Sequence, residues 1–211
     1  MSWVEVCETF TSIQGESTYA GMPCFFIRLA GCNLRCLYCD TPQAFLDGEK
    51  KPVSDLVGAA AANGAPLVEI TGGEPLLQDG FGELARRLVA ETGKTVLVET
   101  NGTRDISVVP DGALTVMDIK CPGSGDSTST DWSNIDRLRP QDEVKFVICD
   151  RVDFDWASDI VKRHRLQERC RALFFTPAEG LLTAADLSSW LLDAPLPVRL
   201  GFRLHRILGM R

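Results

Sequence analysis

The chain has 211 residues and a mass of 23.1 kDa, enough for one domain with a full hydrophobic core, and 45% of its residues are hydrophobic. A formal charge of -7 and a pI near 4.9 argue against a broadly basic face for nucleic acid. No apolar run reaches the about 20 residues that span a bilayer, and Glu5 and Glu8 stand where a signal peptide would be basic and then apolar. We therefore expect a cytoplasmic protein that acts on a small molecule, with no nucleic-acid or membrane partner.

Short apolar runs, each bounded by Gly, Pro or Asp, predict buried β-strands. They cover residues 24–29, 67–71, 95–99, 114–119, 144–149 and 172–175. Helical patterns lie between several of them, at residues 54–63, 81–92, 155–167 and 184–192, with Ser54 and Thr183 as N-caps. This alternation indicates an α/β fold with a parallel sheet, and six strands are too few for a closed eight-stranded barrel. We expect a partial TIM-like barrel of about six parallel strands with helices outside, forming one domain over residues 1–211.

The two ends of the chain can add strands at the edges of this sheet. Residues 3–11 are expected to pair antiparallel or to form a hairpin arm, and residues 198–205 to form a further strand. Residues 123–133 are rich in Gly, Ser, Thr and Asp, which predicts a loop. Chemistry gathers at the carboxyl ends of parallel strands. The segments that should therefore meet in one crevice are residues 31–41, 72–75, 100–102 and 120–124.

Three of the eight cysteines lie within eight residues, in the segment GCNLRCLYCD that follows the first parallel strand. Cys32, Cys36 and Cys39 are spaced for one short loop around an inorganic cube, and thiolates are the ligands that iron–sulfur clusters require. A structural zinc usually has four ligands, but the sequence has no second closely spaced cysteine pair and only two histidines. Three protein ligands on a four-iron cube leave one iron open for a cofactor. The other five cysteines are expected to be reduced, small buried hydrophobes.

Two further segments carry groups that could bind a ligand. Gly72 and Gly73 follow a predicted strand and let backbone approach a ligand closely, whereas a carboxylate beside them can accept a hydrogen bond from an ammonium group. Near the N-terminus, the amide of Gln14 and the carboxylate of Glu16 flank a glycine and could read a hydrogen-bonding heterocycle. On these residues alone, a simple turn after a strand and a polar hairpin turn stay open as alternatives.

The C-x3-C-x2-C spacing, with Tyr38 before the last cysteine and Thr-Gly-Gly-Glu-Pro at residues 71–75, resembles the signature of the radical S-adenosylmethionine superfamily. The chain as a whole is similar to the 7-carboxy-7-deazaguanine synthases, the radical enzymes of queuosine and 7-deazapurine biosynthesis. The similar runs are SIQGES at 12–17, FIRL at 26–29, CDT at 39–41, ETNG at 99–102, DIKCP at 118–122, Ser124-Gly125 and KFV at 145–147. The chain departs from the family at Ser17, where glycine is usual.

This resemblance implies a lyase that converts 6-carboxy-5,6,7,8-tetrahydropterin to 7-carboxy-7-deazaguanine by radical ring contraction with loss of ammonia. It implies an abbreviated radical S-adenosylmethionine core with a [4Fe-4S] cluster on the three cysteines. S-adenosylmethionine would be regenerated as a cofactor, and Mg2+ would be required. It also implies a flavodoxin-like electron donor and a homodimer.

The resemblance also assigns candidate residues to each ligand, with no catalytic side chain expected beyond the radical that the cofactor carries. The N-terminal extension, residues 1–22, would contribute to the substrate pocket. The substrate candidates are Gln14, Gly15, Glu16, Arg28, Thr71, Glu99 and Asn101. The S-adenosylmethionine candidates are Tyr38, Cys39, Asp40, Gly73, Glu74, Lys120 and Ser124. Thr41 matches the position that binds Mg2+, a hard cation that accepts neutral oxygen ligands.

Three of these assignments have a plainer alternative. The planar fork of Arg28 is suited to the substrate carboxylate, but the side chain could form a structural ion pair instead. Thr41 could cap a helix that begins at Pro42, and Lys120 could pair with Asp118. Within radical chemistry the alternative function is a glycyl-radical-enzyme activating enzyme. Outside it, the alternative is a cysteine-rich metal-binding module without catalysis.

Overall fold

The computed structural model describes residues 2–46, 48–194 and 196–210 of the chain. In this part of the chain nine strands form one sheet. They are β1 (Trp3–Ile13), β2 (Pro23–Leu29), β3 (Glu49–Pro52), β4 (Leu67–Gly72), β5 (Thr95–Thr100), β6 (Ala113–Asp118), β7 (Glu143–Ile148), β8 (Ala172–Pro177) and β9 (Arg199–Leu200). The helices are α1 (Val53–Ala62), α2 (Phe81–Thr92), α3 (Asn134–Arg137), α4 (Arg151–His164), α5 (Ala184–Asp193) and α6 (Leu204–Ile207).

The strand order in the sheet is β3-β1-β2-β4-β5-β6-β7-β8-β9. Strands β2 and β4 to β9 run parallel, whereas β1 pairs antiparallel with β2, and β3 pairs antiparallel with β1. Over the described residues β3 and β9 are the two free edges, so the sheet is open. The prediction of a partial parallel barrel with outer helices is confirmed.

The outer face of the sheet is packed by helices. Val68 and Ile70 of β4 share one apolar core with the buried faces of α1 and α2. Phe146 of β7 and Phe175 of β8 share a second core with α4 and α5. Burying a side chain of this size stabilises the fold by roughly 1.5–3 kcal/mol. The two outer cores therefore hold the strands in place, and the inner face of the sheet is left available to line a cavity.

The inner face changes character along each strand. Successive side chains alternate between the two faces of a strand, so Leu67, Glu69 and Thr71 of β4 all face inward. The first of these packs in a small inner core with Leu97 and Leu114 from the neighbouring strands. The polar pair lies nearer the carboxyl end and lines a cavity. The sheet thus has an apolar floor and a polar rim at its carboxyl edge.

All six predicted parallel strands and the antiparallel N-terminal strand are present. The predicted helices are present with end shifts of a few residues, and Thr183 caps α5 by accepting a hydrogen bond from the backbone N–H of Asp186. Ser54 is not an N-cap, because α1 begins one residue earlier and its N-cap is Pro52. The C-terminal prediction was partly wrong: only Arg199–Leu200 is strand, and α6 follows it.

Two smaller features of the fold differ from the sequence-based expectations. Strand β3 was not predicted, because its sequence EKKP has no apolar alternation. The stretch 123–133, predicted to be a loop, contains short 3₁₀ turns at Pro122–Ser124 and Ser127–Ser129. In the described residues no helix is long and apolar enough to cross a membrane.

Candidate active site

A cavity of about 190 Å³ lies at the carboxyl ends of the strands. The segments expected to converge from β2, β4, β5 and β6 all contribute to its wall, which confirms the predicted crevice. The candidate residues in its lining are Gln14, Gly15, Glu16, Arg28, Cys32, Cys36, Tyr38, Cys39, Asp40, Thr41, Thr71, Gly73, Glu99, Asn101 and Lys120. Two candidates, Glu74 and Ser124, are outside the lining.

The three clustered cysteines lie in the loop after β2, on one side of the cavity. Two contacts fold this loop against the segment after β6: the Leu37 N–H donates to the carbonyl of Ser124 at 3.0 Å, and the Arg35 N–H donates to Asp126 Oδ2 at 3.0 Å. Cys32, Cys36 and Cys39 are all half-buried at the cavity wall. The loop is therefore shaped to present three thiols to one space.

The donor set of this loop fits an iron–sulfur cluster. In the described part of the chain no three His, Cys, Asp or Glu side chains are grouped closely enough to hold a single metal ion. A cluster spreads its cysteine ligands over several irons, so it does not need such a tight group. Burial raises the pKa of the Cys36 thiol to about 11, so binding of iron at this side chain displaces a proton.

The end of β4 supports the start of the cysteine loop through backbone contacts. The Gly73 N–H donates to the carbonyl of Leu29 at 3.2 Å, and the Glu74 N–H donates to the carbonyl of Gly31 at 2.8 Å. A Cβ at Gly73 would collide with the Gly31 carbonyl oxygen and with Cβ of Cys32. Only glycine fits this close approach, which gives a physical reason for the Gly-Gly pair in the sequence.

Glu74 and Ser124 shape the site from behind its wall. The Glu74 carboxylate is fully buried and accepts hydrogen bonds from the Thr100 hydroxyl at 2.9 Å and from the Asn101 N–H at 2.7 Å. Burial, offset in part by these bonds, raises its pKa to about 7. The Ser124 hydroxyl donates to the carbonyl of Cys121 at 2.6 Å. Glu74 therefore links the ends of β4 and β5, whereas Ser124 stabilises the turn after β6, and the contact of either side chain with a cofactor stays a prediction.

Lys145 is the centre of a charged network that the sequence reading did not assign to the site. Its ammonium group lies 2.5 Å from Glu99 Oε1 and 3.5 Å from Asp118 Oδ2, and it also pairs with Glu16. Burial by itself would lower the pKa of Lys145, but the three carboxylates raise it well above its ordinary value. In return Lys145 holds the pKa of Glu99 down at about 2, against the effect of burial. The Lys145 ammonium group thus holds the carboxylates of Glu16, Glu99 and Asp118 in position at the carboxyl edge of the sheet.

Glu69 is a second site residue that the sequence reading missed. It lies on the inner face of β4, lines the cavity and accepts a hydrogen bond from the side-chain amide of Gln14. Burial, together with the charge of Glu99, raises its pKa to about 8. The Gln14 carbonyl oxygen in turn accepts from the Glu16 N–H at 3.0 Å. Glu69 therefore anchors the N-terminal loop through a carboxyl group whose pKa is raised by its buried surroundings.

The plainer alternatives for Arg28 and Lys120 are present as contacts. The Arg28 Nε donates to Glu8 Oε1 at 2.9 Å, and the guanidinium lies 5.7 Å from the centre of the Phe10 ring. Lys120 pairs with Asp118 at 3.0 Å. Both residues still line the cavity, so these contacts orient the side chains without removing them from the site.

Thr41 begins a 3₁₀ turn at Pro42–Phe45, but its hydroxyl does not cap that turn. The hydroxyl donates instead to Asp40 Oδ1 at 3.1 Å. Both residues line the cavity directly after the last cysteine of the loop. The threonine oxygen and the neighbouring carboxylate form a pair of hard donors of the kind that Mg2+ accepts.

Three buried polar atoms have no hydrogen-bond partner among the described residues: the Tyr38 hydroxyl, Asp118 Oδ1 and Arg203 Nε. All three side chains line this cavity. Buried polar groups are nearly always hydrogen-bonded in folded proteins. Their grouping here indicates a space built for a polar ligand.

The C-terminal segment also contributes residues that the sequence reading did not assign. Arg203 and His205 line the cavity, and the imidazole lies so close to Gly15 that a Cβ there would collide with it. The neighbouring Ser17 has a φ of 65°, a left-handed conformation that favours glycine. Its hydroxyl accepts a hydrogen bond from the Tyr19 N–H at 3.1 Å, so serine keeps the turn.

Comparison with known proteins agrees with this site. A family profile described as the Radical SAM superfamily matches residues 26–114. The chain is 40% identical to a 7-carboxy-7-deazaguanine synthase of Koribacter versatilis (strain Ellin345), over 97% of this chain and 96% of the relative. It is 36% identical to the same enzyme of Chlorobaculum tepidum, over 97% and 94% of the two chains. The crystal structure of QueE from Escherichia coli has the same fold, with a TM-score of 0.79, 21% identity and coverage of 96% and 95%. The chain therefore belongs to the 7-carboxy-7-deazaguanine synthase family of radical S-adenosylmethionine enzymes.

Proposed function

We propose that the chain converts 6-carboxy-5,6,7,8-tetrahydropterin to 7-carboxy-7-deazaguanine, by ring contraction with loss of ammonia, as a step in 7-deazapurine and queuosine biosynthesis. The observation that carries this proposal is that the three clustered cysteines and a set of polar strand-end side chains line one cavity. The relatives named as 7-carboxy-7-deazaguanine synthases span almost the whole chain. The activity therefore rests on both the site and the family.

We propose that Cys32, Cys36 and Cys39 hold a [4Fe-4S] cluster with one iron open for S-adenosylmethionine. When bound, the two groups together supply a radical that removes hydrogen from the substrate. The chain's own part is to position the two ligands and to exclude water. Tyr38 lies within the cysteine loop with its hydroxyl unpartnered, and the Lys120 ammonium lies 5.9 Å from the centre of its ring, which suits both groups to the polar groups of S-adenosylmethionine.

The substrate carboxylate is assigned to Arg28, whose position is fixed by Glu8 and by the ring of Phe10. A guanidinium held in this way can offer its remaining N–H donors as a fork to a carboxylate. The stacked rings of Phe10 and Phe26, 4.9 Å apart, make the adjacent wall apolar. This wall keeps water from the face of a bound heterocycle.

The heterocycle itself is assigned to the N-terminal loop and the rim of the sheet. We propose that the first 22 residues supply Gln14, Gly15 and Glu16 to this pocket, within a single domain formed by residues 1–211. The Thr71 hydroxyl, which donates to Glu99 Oε2 at 3.0 Å, and the Asn101 amide complete the polar contacts. The alternation of fixed donors and acceptors suits a pterin, which has both along its edge.

Mg2+ is assigned to the oxygen of Thr41, with the substrate and water as further ligands. A single neutral hydroxyl leaves most positions of the octahedral ion to water and substrate oxygens, and Mg2+ usually keeps several waters in its sites. Asp40, beside this hydroxyl, would orient it and balance part of the charge.

The partners and location follow from the family and are proposed here as well. A flavodoxin-like donor can reach the cysteine loop at the surface, since the Leu37 side chain within it is 83% exposed. A homodimer would cover the exposed apolar side chains near the C-terminus, which are Phe202, Ile207, Leu208 and Met210. The cytoplasmic location stays a prediction from the sequence.

A glycyl-radical-enzyme activating enzyme is not favoured. Such an enzyme acts on a protein chain, whereas this cavity is walled by the N-terminal loop and by Arg203 and His205 of the C-terminal segment. The test is to express the chain in a bacterium that lacks its own 7-carboxy-7-deazaguanine synthase and to measure queuosine in its tRNA. We expect queuosine to return with the wild type and not with Cys36→Ala. Its absence from cells with soluble, iron-loaded wild type would contradict the proposed function.

A further inference from the structure

Residues 201–207, here called the C-terminal strap, contribute Arg203 and His205 to the wall of the cavity. Two backbone hydrogen bonds attach the strap: the Gly201 N–H donates to the carbonyl of Phe175 at 2.7 Å, and the Leu204 N–H donates to the carbonyl of Gly15 at 2.9 Å. Among the described residues of α6 none is buried. The strap is therefore held by polar contacts with neighbouring segments and not by a packed core.

Arg203 is the side chain of the strap that reaches into the site. Its Nη1 lies 3.2 Å from Asp40 Oδ2, in the loop that follows the last cluster cysteine. Its Nε lies 3.4 Å from Glu16 Oε1, in the N-terminal loop. The side chain is only 11% exposed, and the Nε makes no hydrogen bond at this distance. One guanidinium thus lies between the two loops and faces one carboxylate of each.

The two carboxylates around Arg203 belong to different candidate ligand sites. Glu16 lies in the loop assigned to the pterin, and its other oxygen pairs with Lys145. Asp40 lies between Cys39 and Thr41, in the part assigned to S-adenosylmethionine and Mg2+. A ligand that fixes either carboxylate also fixes the guanidinium, and through it the other carboxylate.

We propose that Arg203 is a positioning residue that couples the binding of S-adenosylmethionine to the binding of the pterin, by holding Asp40 and Glu16 with one guanidinium group. This inference rests on the proposed function and deepens it. The first ligand to bind orders the strap and both loops, so the second ligand loses less conformational entropy on binding. The coupling is reciprocal, because linkage requires each ligand to change the affinity of the other by the same factor.

The planar fork is what allows one side chain to serve both loops. A guanidinium can direct separate N–H groups to two carboxylates at fixed angles, whereas a lysine ammonium is a compact point charge. Arg206, three residues on in the strap, provides a matched comparison. It pairs with Glu179 at 2.8 Å, its side chain is 50% exposed, and it does not line the cavity.

The test measures binding in the anaerobic, cluster-loaded enzyme without reductant, so that no turnover occurs. S-adenosylmethionine is titrated by calorimetry with and without saturating 6-carboxy-5,6,7,8-tetrahydropterin, for wild type, Arg203→Gln, Arg203→Lys and Arg206→Gln. We expect the pterin to tighten S-adenosylmethionine binding at least about fivefold in wild type and in Arg206→Gln. In Arg203→Gln we expect a ratio near one. Arg203→Lys should load a full cluster and show a ratio well below wild type.

The outcomes separate this inference from the proposed function. A wild-type ratio of one, or wild-type coupling in Arg203→Lys or Arg203→Gln, overturns the coupling role even if added reductant yields 7-carboxy-7-deazaguanine. If the wild type neither binds the pterin nor forms product after reduction, the proposed function fails and this inference fails with it. Because Arg203→Lys keeps the positive charge, it decides the question if Arg203→Gln does not load a cluster.

Discussion

The ammonium nitrogen of Lys145 on β7 lies 2.5 Å from Oε1 of Glu99 on β5, although β6 separates the two strands in the sheet. The intervening strand contributes Asp118, which also faces Lys145. One buried cation therefore joins the carboxyl ends of three neighbouring strands. Removing one member of a buried charge group leaves the others without compensation.

Replacing Lys145 by methionine should damage both stability and activity. We expect the free energy of unfolding to fall by about 3 kcal/mol, because three carboxylates lose their buried partner. We expect kcat/KM to fall by about 100-fold or more, since Glu16 and Glu99 lose the orientation that the lysine imposes. Denaturant unfolding and steady-state assays measure the two effects. Lys162→Met, on the exposed face of α4, is the control and should change neither. Unchanged kinetics in Lys145→Met would remove this network from the site.

Glu69 makes stability depend on pH in a predictable direction. Burial and the charge of Glu99 raise its pKa from 4.5 to about 8, so between these values the folded chain holds a proton that the unfolded chain has released. Its contribution to stability is full below about pH 4.5 and is lost as pH rises through about 8. Glu69→Gln removes the carboxyl group that titrates. The melting temperature of this variant, relative to that of the wild type, should therefore rise between pH 6 and pH 9. If the melting temperatures of the variant and the wild type change by the same amount across this pH range, the raised pKa of Glu69 is contradicted.

Arg28 should recognise the substrate carboxylate in a way that lysine cannot reproduce. Arg28→Lys keeps a positive charge but loses the planar fork, so we expect kcat/KM for the carboxylated pterin to fall more than about tenfold, mainly through KM. The inhibition constant of a tetrahydropterin without the 6-carboxylate should change little. Arg87→Lys, in an exposed pair with Glu91 on α2, is the matched control. An equal loss for both pterins would show that Arg28 acts through Glu8 and not on the carboxylate.

The cluster ligands are tested by their metal content. Cys32→Ala, Cys36→Ala and Cys39→Ala should each lose the [4Fe-4S] cluster, because the loop offers only these three thiols to the cavity. Cys24→Ala should keep it, since Cys24 is buried in the inner core, away from the lining. Iron analysis and the visible absorbance of anaerobically purified protein measure this. A full cluster in any of the first three variants would refute the ligand set.

The fold was predictable because its strands are simple apolar runs. Stretches such as Leu67–Gly72 and Glu143–Ile148 are buried on both faces, so they carry a strong signal without alternation. Edge elements carry little of this signal. Strand β3 is charged and was not predicted, and β9 is only two residues long, so the strand predicted over residues 198–205 was too long.

The site was predictable where its residues stand in loops and less so where they stand in strands. The cysteine spacing and the Gln14 loop are visible as motifs, whereas Glu69 and Lys145 are single charges inside apolar runs. Such a charge needs a buried partner, and that rule could have marked both residues as site candidates. Arg203 was not identifiable, because the contact with Asp40 joins positions 163 residues apart (203 − 40). Glu74 lies behind the cavity wall, and its contact with a cofactor stays a prediction.

The most direct test of the proposed function is to identify the product of the isolated enzyme. Anaerobic, cluster-loaded chain is incubated with 6-carboxy-5,6,7,8-tetrahydropterin, Mg2+, reductant and S-adenosylmethionine below the substrate concentration, and the products are analysed by mass spectrometry. We predict 7-carboxy-7-deazaguanine and ammonia in equal amounts, exceeding the S-adenosylmethionine supplied. Enzyme with a full cluster that cleaves S-adenosylmethionine but forms no 7-carboxy-7-deazaguanine would contradict the assignment.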